Sequence, residues 1–159
     1  MTGPRRPAPL ALLIAVSALG PATINIFIPS MPGVGRALGV DYGTVQLSLT
    51  LYLIGIAAGQ LVYGPISDRH GRRPALIGGF AVYAVGTLLC LAAPDIWTLV
   101  AGRVVQSVGG CAGLVMARAI VRDLYDRDRA ASELAYVTTG MVAVPMIAPT
   151  IGGYLDAWF

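Results

Sequence analysis

Five long apolar runs, at about 9–28, 45–66, 74–93, 96–117 and 134–155, divide this chain and leave it few possible folds. A helix needs about 20 mostly apolar residues to cross a bilayer, rising about 1.5 Å with each. All five runs reach or approach that length. Lipid offers no partner to backbone N–H and C=O groups, so only helices and closed barrels cross it. The short alternating segments that would build a barrel do not occur. An all-α integral membrane protein with about five spanning helices is therefore expected. Charge agrees with this. Only 12% of the 159 residues are charged, against about 25% in soluble domains. The net charge of +3 is too small to suggest a nucleic-acid partner.

The first run has a second reading. Arg5 and Arg6 followed by apolar residues and small ones near Ala18 resemble a secretory signal peptide. The apolar character continues to Pro29, beyond any cleavage site, which favours an uncleaved helix.

Arginine placement sets the orientation. Arg5 and Arg6, then Arg69, Arg72 and Arg73, then Arg118, Arg122, Arg127 and Arg129 share one side if every run spans; the other side has only Arg36. The positive-inside rule puts the N-terminus and the loops at about 67–73 and 118–133 in the cytoplasm. The segment from Arg118 to Glu133 is expected to be an amphiphilic, partly helical loop on the membrane surface. Asp41 or Thr44 is placed to cap the second helix, and Asp95 the fourth. Pro74 suits the first turn of the third, where a missing N–H costs nothing. Cys90 and Cys111 fall inside apolar runs and read as small buried hydrophobes.

Charge concentrates in the connection Gly64-Pro-Ile-Ser-Asp68-Arg69-His70-Gly71-Arg72-Arg73-Pro74. Gly64 would let a neighbouring helix approach, and Gly71 would allow a sharp turn. Asp68 can pair with Arg72 one helical turn away. The plain alternative is an ordinary orienting loop. The spacing Gly64-x-x-x-Asp68-Arg69-x-Gly71-Arg72-Arg73 closely resembles the signature loop between helices two and three of the major facilitator superfamily. That resemblance implies a gating network of Gly64, Asp68, Arg69, Gly71, Arg72 and Arg73. It would reach Asp123 after helix four and a helix end in the other half of a transporter.

Arg103 is the one charge inside a span, about two turns from Pro94. A central Arg costs about 2.5–3.5 kcal/mol to insert. Snorkelling to the outer surface and facing a cavity are both open on chemistry alone. Gln106 shares its helix face. Arg103-x-x-Gln106-x-x-Gly109-Gly110 resembles the helix-four motif of the same family, with Ser107 where a glycine is usual, and this implies a cavity-facing Arg103.

Pro145 and Pro149 should bend the fifth helix. Ala148-Pro149-x-x-Gly152-Gly153 resembles the antiporter motif of drug-exporting members, departing at Val144 and Ala148. Asn25-Ile-Phe-Ile-Pro29 and Arg118-Ala-Ile-Val-Arg122-Asp123 are similar to bicyclomycin-resistance-type drug/proton antiporters. Those carry an acid where this chain has Asn25, and Asn cannot titrate. All eight acids lie in connections or at run ends, so the spans hold no evident proton carrier. Gly55-x-x-x-Gly59 reads as a helix-packing pattern, and Gln60 is a further cavity candidate.

No catalytic triad, phosphate loop or metal-ligand cluster is present, so an enzyme is not expected. The resemblance implies an incomplete N-terminal six-helix half of a major facilitator fold. Its expected partners are the bilayer, a small-molecule substrate and the missing C-terminal half. Asn25, Gln60, Arg103 and Gln106 would line the cavity, with a proton gradient and no cofactor as energy source. The chain is expected to be a piece of a longer exporter in the bacterial cytoplasmic membrane. A stand-alone five-helix protein that binds or regulates a partner is the alternative.

Overall fold

The computed structural model describes residues 10–158, which form five helices. These are α1 (Leu10–Leu38), α2 (Tyr42–His70), α3 (Arg72–Leu91), α4 (Ile96–Leu124) and α5 (Arg127–Trp158). The N-terminal Arg5 and Arg6, the start of the first run at Pro9, and Phe159 lie outside the described residues. All five helices are long and apolar enough to cross a membrane. Their outer faces carry large exposed side chains such as Leu61, Leu91 and Met146. Water would penalise so much exposed apolar surface, whereas lipid solvates it. The chain is a multi-pass membrane protein.

α4 is the hub, packed against α3, α2 and α1, while α5 packs chiefly on α1. Of the apolar window of α4, 56% is buried inside the protein, against 11% for α5. Small residues make this possible. A Cβ on Gly55 or Gly59 of α2 would collide with Ser107 Oγ or Cys111 Sγ of α4. One on Gly109 would strike the backbone of Tyr83 and Gly79 in α3, and one on Gly113 the Val16 carbonyl in α1. Lipid supplies no hydrophobic drive between helices, so close backbone approach and dispersion hold the bundle. Gly55-x-x-x-Gly59 is thus a contact stripe, and Ser107 preserves it only because it is small. Several serine and threonine hydroxyls in the spans satisfy themselves on their own helix. Ser17, Ser48, Ser67 and Ser107 donate to the carbonyl three residues back, and Thr23 and Thr87 to the one four back.

The helices outrun the apolar stretches that predict them. α1 continues through Pro29 and Pro32 to Leu38, ten residues beyond the expected end at 28. It closes where Gly39 takes φ 64° and Val40 N–H reaches the Gly35 carbonyl at 3.0 Å. The expected loop at 67–73 is nearly all helix: α2 runs to His70, α3 starts at Arg72, and Gly71 alone turns, at φ 92°. The segment at 118–133, expected to be partly helical, is helix except at Tyr125 and Asp126. The fifth helix therefore begins at Arg127 rather than 134, whereas α3 stops at Leu91, short of 93. Apolarity reports the thickness of lipid, not the length of helix. Arg, Ala and Glu are good helix formers, and Arg129 faces Glu133 one turn on, at 4.0 Å. α5 stays helical across Pro145 and Pro149.

Asp41 caps α2 by accepting the Thr44 N–H, and Asp95 caps α4 by accepting those of Trp97 and Thr98. The Thr98 bonds, with that of Trp97, hold the Asp95 carboxyl below its ordinary 3.8. A depressed carboxyl stabilises the fold fully above its ordinary pKa and loses that as pH falls through the lowered value. Asp95→Ala should therefore lower the melting temperature of the detergent-solubilised protein at about pH 7. The gap to wild type should narrow at about pH 3. An unchanged gap would mean the cap acts without its charge.

Candidate functional site

Two polar centres stand out in the apolar bundle. The first surrounds Arg103, in the half of α4 nearer Asp95. The side chain is 4% exposed, so it does not snorkel. Its Cζ lies 4.1 Å from the Phe27 ring centre on α1 and 4.6 Å from that of Tyr52 on α2. Desolvated cation–π contacts of this kind are worth about 2 kcal/mol. Arg103 Nη1 donates to Gln106 Oε1 at 2.9 Å, and Gln106 Nε2 donates to Thr87 Oγ1 on α3, also at 2.9 Å. Thr87 donates on to the Tyr83 carbonyl. The Tyr83 hydroxyl lies 2.7 Å from Thr23 Oγ1 on α1. Since Thr23 gives its proton to the Leu19 carbonyl, Tyr83 is the donor there. Four helices thus converge on one cation. Three buried polar atoms in it have no partner: Arg103 Nε, Arg103 Nη2 and the Tyr52 hydroxyl.

Arg103 forms part of the wall of a cavity of about 350 Å³ between α1, α3 and α4, with Thr23, Phe27, Ser30 and Tyr83. No acid among the described residues lines it.

The second centre lies at the other end of the bundle. Arg72, the first residue of α3, bridges two helices. Its Nη1 donates to Asp68 Oδ1 at 2.5 Å and Ser67 Oγ at 2.6 Å in α2, and its Nε donates to Asp123 Oδ2 at 2.9 Å in α4. The turn at Gly71 delivers Arg72 to both acids. Beside this cluster a cavity of about 400 Å³ is walled by Gln60, Gly64, Asp68, Arg118 and Arg122 among others. The side chains of Arg72, Asp68 and Asp123 keep 28%, 64% and 41% of their surface exposed. Ion pairs this open contribute about 0–1 kcal/mol each.

The four residues expected to line one cavity are not all brought together. Arg103 and Gln106 belong to the first centre, and Gln60 borders the second cavity. Asn25 lines neither; its amide donates to the Pro21 carbonyl one turn back. Gly64 faces open space, with nothing within 4 Å of a Cβ added there, instead of a neighbouring helix. Arg69 and Arg73 are exposed. Gly152 meets the Ile26 carbonyl of α1, so it joins α5 to α1, while Gly153 is open. Pro145 and Pro149 are half-buried. Phe27, Tyr52, Tyr83, Thr87 and Thr23 escaped the sequence reading. The only trace they leave is hydroxyl and aromatic groups inside apolar runs.

Five helices long and apolar enough to span a bilayer, enclosing a buried Arg103 and carrying an ion-paired cluster at one end, make this a polytopic membrane protein. Residues 10–159 match the family model of the Major Facilitator Superfamily, and the chain belongs to that superfamily. It is 40% identical over 96% of its length to the uncharacterized MFS-type transporter YdgK of Bacillus subtilis, covering 38% of that protein. It is 37% identical over 92% of its length to multidrug resistance protein D of Escherichia coli, covering 37%. To a bicyclomycin resistance protein homolog of Haemophilus influenzae it is 33% identical over 91%, covering 36%. The chain thus spans a little over a third of these relatives.

Proposed function

We propose that this chain is the N-terminal part of a longer carrier that exports drugs or similar small molecules across the bacterial cytoplasmic membrane in exchange for protons. The names of its relatives support export, since two of them are resistance proteins. The observation that carries the reading is Arg103. A cation held inside a membrane bundle, with two unpartnered nitrogens, is costly for stability alone and is expected only where it serves function. The cavity beside it faces substrate near the midplane, and Gln106 holds the guanidinium in place. A C-terminal half closes the other side, and transport follows by rocking of the two halves. The chain acts as a carrier and not as an enzyme.

Arg72, Asp68 and Asp123 form the gate, at the cytoplasmic end, with the N-terminus on the same side. Their exposure supports this role: weak pairs break at little cost as the halves move. The open space at Gly64 and the neighbouring cavity suit a helix end of the second half. Pro145, Pro149 and the two glycines after them shape α5 toward the interface between halves. The spans described contain no central carboxylate, so the proton site belongs to the remainder of the transporter.

The gate has a specific test. In the complete reading frame, Asp123→Asn should cut drug efflux several-fold. The melting temperature should barely move, since the pair is worth no more than about 1 kcal/mol. Unchanged efflux would assign Asp123 to the surface and not to the gate.

A further inference from the structure

We propose that the free edge of Arg103 is a docking point for the planar anionic group of a lipophilic molecule, so that this half of the carrier selects organic anions over organic cations. The proposal deepens the carrier reading and rests on it for the statement that the cavity faces substrate.

A guanidinium has distinct edges. Here Nη1 is committed to Gln106. The two nitrogens left without partners, Nε and Nη2, are adjacent and present parallel N–H bonds. That fork matches the two oxygens of a carboxylate and their spacing. The Tyr52 hydroxyl, whose ring lies against the same guanidinium, is the third unpartnered group and can donate to the same acceptor. Gln106, tied to Thr87, keeps the guanidinium from rotating its free edge away.

Charge points the same way. Arg does not deprotonate in proteins. The cavity wall contains Arg103 and no acid among the described residues. The nearest acid along α4 is Asp95, two turns away and occupied as a helix cap. A monovalent organic cation entering this cavity meets an unopposed like charge in a poorly screened interior, while an anion meets an unspent donor pair. Apolar walls at Leu19, Ala22 and Ile26 take the hydrocarbon part. Both free nitrogens are enclosed, so admitting the ligand requires side-chain movement at the wall, where Phe27 borders both the cavity and the guanidinium.

The test uses three probes of one shape and different head charge: 2-naphthoate, 2-naphthamide and 2-naphthylmethylammonium. Each is titrated calorimetrically into nanodiscs holding the product of the complete reading frame, with empty nanodiscs subtracted. Naphthoate should bind at least about tenfold more tightly than the ammonium probe, the gain of one charge-assisted bond pair. Arg103→Gln should erase that preference. Arg103→Lys keeps the charge without the fork and should retain only part of it. Tyr52→Phe, which disturbs packing least, should weaken naphthoate while leaving naphthamide almost unchanged. Equal or tighter binding of the ammonium probe overturns the proposal, as does a full anion preference in Arg103→Gln. Site and carrier can fail separately. Selective naphthoate binding without efflux of any compound would refute the carrier reading and leave the site standing. Efflux with a preference for cations would do the reverse.

Discussion

Arg103→Ala in the complete reading frame is expected to lower drug resistance to the level of cells lacking the gene, while the protein remains in the membrane at near-normal abundance. The two halves of this expectation have different causes. An arginine in a span costs about 2.5–3.5 kcal/mol to insert, so alanine eases membrane integration. Alanine would no longer reach Phe27, Tyr52 or Gln106, but these partners all lie inside the bundle and none of them ties the helices' outer surfaces. Removing the cation empties the cavity of its only charge among the described residues. Resistance is read as the minimum inhibitory concentration, and abundance by immunoblot of washed membranes. Full resistance with alanine at position 103 would reduce Arg103 to a packing residue.

Gly109→Leu is expected to have the largest structural effect of any single change considered. A Cβ at Gly109 would meet the Tyr83 nitrogen, the Gly79 carbonyl oxygen and, at 2.7 Å, the Tyr83 Cα. All three are backbone atoms of α3 and cannot swing aside. Over-filling a packed interior costs about 1–3 kcal/mol even where side chains can shift, so a branched side chain here should exceed that range. It would separate α3 from the hub and pull Thr87 away from Gln106. The protein should be degraded, or aggregate on detergent extraction, as seen by fluorescence-detected size exclusion. Gly78, one residue from the contact, has nothing within 4 Å of an added Cβ, and Gly78→Ala should elute like wild type. Identical behaviour of the two variants would mean α3 and α4 do not pack as described.

The contrast between these two residues shows what the sequence carries and what it hides. Five apolar runs were enough to expect five helices, because lipid leaves the backbone almost no alternative. Asp41 and Asp95 were legible as caps, since capping is local. Asp68, Arg72 and Asp123 meet as their spacing and family likeness imply. Arg103 and Gln106 were legible together because three residues on a helix share a face. The rest depended on which faces of different helices meet. A threonine at 87 or a phenylalanine at 27 in an apolar run does not declare its neighbour. Asn25 and Gln60 have the right chemistry for a cavity, yet Asn25 bonds to the Pro21 carbonyl of its own helix and Gln60 lines the cavity at the other end of the bundle from Arg103. Helix ends were misjudged for a different reason. Charged residues such as those from Arg118 to Asp123 leave the lipid without leaving the helix.

The most direct test of a proton-driven exporter built around Arg103 is uptake of a radiolabelled drug by inverted membrane vesicles containing the product of the complete reading frame. Accumulation is expected when an inward-acid pH gradient is imposed, with collapse on dissipating that gradient and no accumulation with Arg103→Ala. Accumulation no greater than in vesicles lacking the protein, or equal accumulation in Arg103→Ala, would contradict that function.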